Sequence, residues 1–142
     1  MTMTAALGLA GLATAADPAL RDGDGAPVSW ADWLADRTPA AVVVYASWAP
    51  RADAVLVDLA DLDAAARARG LRLVLLAVQE PFEDSRVALA SVNVEWVHDR
   101  HGVLLKRYRV LRVPSVFVVG ADGELVARLD VDPEQLRSVE RP

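Results

Sequence analysis

The 142-residue chain contains no cysteine. Disulfides, thiolate metal sites and thiol nucleophiles are thereby excluded. The compartment stays open, because a thiol-free chain is tolerated on either side of a membrane. Excess positive charge is also lacking. With a net charge of −5 and a sequence pI of about 4.9, general electrostatic attraction to nucleic acid is not expected. There is no glycine-rich phosphate loop, and no Ser-His-Asp arrangement built on a nucleophile turn. A hydrolase or a nucleotide enzyme has no support here.

What is present suits one packed domain. Hydrophobic residues make up 54% of the chain, ample for a core, and the 25% charged fraction describes a soluble globular protein rather than a disordered one. Residues 1–16 are small and apolar and read as a signal-like or mobile leader, with the domain expected over residues 17–142. The leader has no Lys or Arg before its apolar run, and it is too short and too rich in Gly and Ala to span a membrane. No repeat or low-complexity segment follows it.

Along the chain, residues 17–29 read as a polar lead-in with a turn at Arg21-Asp22-Gly23-Asp24-Gly25. Ser29 is placed to cap a short helix over residues 30–35. Ala40 to Tyr45 reads as a buried strand. From Asp53 to Arg69 the spacing of Val55, Leu59, Leu62 and Ala66 predicts an amphipathic helix, with Asp58, Asp61 and Asp63 largely off its apolar face and Gly70 as terminator. Leu71 to Val78 reads as a second apolar strand, broken by a Glu80-Pro81 loop. A short helix over 85–90, an extended piece over 94–97 and a helical turn over 102–108 follow. Val116 to Val119 and Leu125 to Leu129 flank a hairpin signal at Asp122-Gly123, and Asp132-Pro133 opens a last helix to Val139. This order predicts an α/β fold: a central mixed sheet flanked by helices, closed by a C-terminal β-hairpin and helix.

Two motifs resemble the thioredoxin superfamily. The first is Tyr45-Ala46-Ser47-Trp48-Ala49-Pro50-Arg51-Ala52, similar to an aromatic-x-Ala-Ser-Trp-Cys-Pro-x-Cys site with alanine at both cysteine positions. The second is Tyr108-Arg109-Val110-Leu111-Arg112-Val113-Pro114-Ser115, similar to the segment around that superfamily's cis-proline, followed by its strand and Asp-Gly turn. The likeness is to extracytoplasmic thiol–disulfide oxidoreductases and redoxin-type proteins, and it covers about residues 20 to 139. It implies a thioredoxin-like fold, a cis bond at Val113-Pro114 and an extracytoplasmic, periplasmic location in preference to a cytoplasmic one. In that family a thiolate at a helix N-terminus attacks a disulfide and a second cysteine resolves the intermediate. A methyl group can do neither, so Ala49 and Ala52 are vestigial positions and the chain as it stands is no thiol–disulfide enzyme. The proline often found in the following helix is also missing, with Val57 near its place.

The resemblance implies that a recognition surface can outlast the reagents: Trp48, Pro50, Arg51, Val113 and Pro114 are the expected binding residues for a protein or peptide partner, with the Val113 backbone pairing to an extended segment. The bland alternative is that Trp48 and Pro114 are only architectural. A third reading is an ordinary reductase of this family whose two cysteines have been replaced. No cofactor, metal or nucleic-acid partner is expected. His98-Asp99-Arg100-His101 is the one cluster of metal-capable side chains, and it reads as a solvated turn.

Overall fold

The computed structural model describes residues 17–140. The expected leader, residues 1–16, lies outside the described residues. Strand β1 (Asp17–Asp22), the two-residue β2 (Pro27–Val28), β3 (Ala40–Tyr45), β4 (Arg72–Val78), β5 (Trp96–Asp99), β6 (Ser115–Val119) and β7 (Leu125–Leu129) form one sheet in the order β2-β1-β5-β4-β3-β6-β7. Strands β3, β4 and β5 are parallel, while β1, β6 and β7 pair antiparallel with their neighbours. Helices α1 (Trp30–Ala35), α2 (Ala52–Ala68), α3 (Phe82–Ala88), α4 (Val103–Arg107) and α5 (Pro133–Arg137) complete the domain.

Continuous apolar runs fit β3 and β4 because both faces of the sheet are covered. Alternate residues serve two cores. Ala41, Val43, Tyr45, Leu73 and Leu75 meet Val55, Leu59, Leu62 and Ala66 of α2 and Leu136 of α5. Ala40, Val42, Val44, Val74 and Leu76 meet Trp30 and Leu34 of α1, and Leu104 of α4 with Tyr108 just after it. The expected helical face of α2 is thus the one it buries. Gly70, at φ 73°, ends the segment as the sequence suggests. Asp132 caps α5 by accepting a hydrogen bond from the Glu134 N–H.

Three expectations are corrected. The polar lead-in is a strand: β1 pairs with β5 through Leu20↔Asp99, Arg21↔His98 and Asp22↔Val97, and only the Asp22–Gly25 turn remains of the predicted irregular segment. Asp22 Oδ1 accepts from the Asp24 and Ala26 N–H groups and makes that turn itself. The helix expected over 85–90 runs from Phe82 to Ala88 because Pro81 sets its start and Phe82 stacks on Trp96, 5.7 Å between ring centroids. The strand expected over 94–97 lies at 96–99, which takes His98 and Asp99 out of the solvated turn foreseen for them.

Candidate functional site

The helix-opening turn after β3 is held by a buried acid. Glu80, 5% exposed, follows β4, and its Oε1 accepts from both the N–H and the hydroxyl of Ser47, at 2.8 and 2.6 Å. Its Oε2 accepts from the Ser85 hydroxyl at 2.5 Å. No basic side chain pairs with this carboxylate among the described residues; three donors compensate its burial instead. The indole N–H of Trp48 donates to the Gln79 carbonyl at 3.0 Å, tying the next residue to the same β4 end. Ala49 and Ala52 are both buried, their N–H groups bonded to the carbonyls of Ala46 and Ala49. Pro50 and Arg51 are exposed, and Arg51 sits at φ 64° just before α2. Burial, then the nearby carboxylates of Glu80 and Asp53, push the Tyr45 phenol above its ordinary pKa, so it stays neutral.

The second motif is built differently. The Tyr108 hydroxyl accepts from the Trp30 indole N–H at 2.9 Å, and its ring stacks on Phe117 at 4.6 Å. Beyond that anchor the backbone N–H and carbonyl groups of residues 111–113 make no hydrogen bond among the described residues. The Val113–Pro114 peptide is cis, as is Thr38–Pro39. Leu111 is 93% exposed and Trp48 53%, while Val113 and Pro114 are half-buried. Trp48 and Val113 line one open groove of about 1200 Å³. Pro50, Arg51 and Pro114 are not among its walls.

His98 and Asp99 are buried structural groups. The His98 Nε2–H donates to the Glu80 carbonyl at 2.6 Å, and the Asp99 carboxylate accepts from the N–H groups of Val103 and Leu104, opening α4. Among the described residues no three His, Asp or Glu side chains converge as metal ligands. Sequence reasoning missed Glu80, Ser47 and Ser85 as a unit. A carboxylate at the end of an apolar strand was visible, but its partners lie 33 and 5 positions away.

The parallel β3-β4-β5 core, the antiparallel β6 and β7 beside it and the flanking helices define a thioredoxin-like fold whose α2-opening turn holds two alanines. Solved structures share that fold at low identity. A secreted Mycobacterium tuberculosis disulfide oxidoreductase homologous to E. coli DsbE is 21% identical, with a TM-score of 0.61, over 82% of this chain and 89% of that one. A putative thiol:disulfide interchange protein DsbE from Chlorobium tepidum is 21% identical, with a TM-score of 0.62, over 87% and 91%. StoA from Bacillus subtilis is 19% identical, with a TM-score of 0.60, over 86% and 96%. No curated protein matches the chain. Residues 13–128 match the AhpC/TSA family, and the chain belongs to that family.

Proposed function

We propose that this protein is a redox-inactive thioredoxin-like module that binds a protein or peptide partner through the face around Trp48, Pro50, Arg51, Val113 and Pro114. The observation that carries the reading is the run of unbonded backbone at residues 111–113 beside the exposed Trp48 ring. Open main-chain groups next to apolar area are what an added strand requires. A secreted structural neighbour and the signal-like leader support an extracytoplasmic, periplasmic setting. Among the described residues no helix is long and apolar enough to cross a membrane.

A photo-crosslinker at position 51, compared with one at Asp61 on the outer side of α2, tests the reading. Partner adducts should form from 51 alone and vanish in folded Trp48→Ala and Pro114→Ala variants. Identical adducts from both positions, unchanged in those variants, would sink it.

The intact frame around Ala49 and Ala52 favours one second reading, a reductase in which both cysteines have been replaced. Genomic codons 49 and 52 decide its history. Ala49→Cys/Ala52→Cys should then reduce insulin disulfides, and negligible turnover weighs against a competent redox scaffold.

A further inference from the structure

The groove beside Trp48 is basic in an acidic protein. Five of the chain's 15 Lys and Arg residues, and none of its 20 Asp and Glu, fall between residues 100 and 115. Lys106, Arg109 and Arg112 bring that charge to the groove, and Arg128 of β7 joins them. The single carboxylate in its walls, Asp130, is already engaged by Arg112 and by the Gln135 amide. Arg128 donates to the Tyr108 carbonyl at 3.0 Å. Lys106 and Arg109 are exposed and have no ion pair or side-chain hydrogen bond among the described residues.

The backbone adds an independent observation. The non-glycine residues with positive φ among those described are Arg51, Gln79 and Arg109, and the last two line this groove. Arg109, at φ 54°, closes α4, its own N–H bonding the Lys106 carbonyl while that of Val110 bonds Leu105. Glycine is at ease in that conformation and arginine is not, and strain of this kind gathers at functional sites.

We propose that the groove takes an acidic extended segment of a partner protein. Its main chain adds to residues 111–113, its carboxylates meet Lys106 and Arg109, and its alternate apolar side chains cover Leu111 and Trp48. The groove offers both kinds of contact, exposed cations at Lys106 and Arg109 and exposed apolar side chains at Leu111 and Trp48. Charge complementarity names the occupant: two cations without a partner among the described residues, lining the same groove as an open backbone, favour an anionic strand over a neutral one. The inference rests on the binding-face reading and adds the partner's sign to it.

Three short fluorescent peptides of equal length, alternating valine with glutamate, threonine or lysine, test it by anisotropy. The glutamate peptide should bind about tenfold more tightly than the threonine peptide, and that margin should shrink at high salt. In Lys106→Glu/Arg109→Glu the order should reverse toward the lysine peptide, with an unchanged melting curve because both side chains are exposed. Equal binding of all three, abolished by Trp48→Ala, overturns the acidic assignment while the binding face stands. A glutamate preference untouched by the charge reversal, or tighter capture of a single-stranded oligothymidine, also overturns the acidic assignment. Failure of all three peptides to bind removes both the assignment and the strand-binding reading.

Discussion

The two loops that meet at the site end of the sheet are opposites. Residues 46–52 are tied: Ser47 is clamped twice by Glu80, Trp48 is hydrogen-bonded to Gln79, and both alanines are buried. Residues 111–113 are open, with unbonded backbone and a leucine almost wholly in solvent. In a thiol enzyme the first loop supplies the reagent and the second holds the substrate. Here the first loop is tied to Gln79 and Glu80, while the backbone groups of the second make no hydrogen bond among the described residues. One loop lacks the thiols, and the other keeps open backbone groups.

Breaking the ties should cost most. Glu80→Ala leaves the buried Ser85 hydroxyl and the Ser47 N–H without their acceptor and should destabilise the fold by about 2–3 kcal/mol in chemical denaturation. Glu80→Gln should cost less, and a loss under about 0.5 kcal/mol for the alanine variant would mean that the turn is not held by this acid. Trp48→Ala should cost about 1 kcal/mol, since its ring is half in solvent and one hydrogen bond is lost, with a larger fractional effect on partner affinity. On the open side, Leu111→Ala should change stability by less than about 0.5 kcal/mol while weakening binding; a clear drop in melting temperature would show that the loop is packed after all.

The smallest effect is one of pH. The folded Tyr45 phenol has a raised pKa, so its stabilising contribution is complete below the unfolded value of about 10 and fades as pH climbs through the higher folded value. Tyr45→Phe should therefore flatten the alkaline limb of the stability curve and leave the neutral range alone. An unchanged alkaline slope would show that neither burial nor the Glu80 and Asp53 carboxylates shift the phenol.

Sequence patterns revealed the elements whose neighbours are close or whose pattern is strong. The six-residue apolar run of β3 and the i, i+4, i+7 face of α2 were legible because local periodicity determines them. Strand β1 was not: Asp17-Pro18-Ala19-Leu20-Arg21-Asp22 has a polar, proline-bearing composition, and it becomes a strand only through pairing with β5, nearly 80 positions on. His98 and Asp99 looked like turn residues because their partners, the Glu80 carbonyl and the first N–H groups of α4, exist only in the fold. At the site, Trp48 and Val113 were nameable from motifs. The groove between them was not, since its walls come from four separate stretches of chain.

Strand β1 runs antiparallel to β5, so its first residues lie at the end of the sheet where β3, β4 and β5 finish. Val139 lies at the far end, where the Arg69 guanidinium after α2 donates to its carbonyl at 2.7 Å. The groove and the carboxyl-terminal end of the described chain therefore lie at opposite ends of the sheet. A surface coupling made at the exposed Glu140 therefore leaves the groove facing solution.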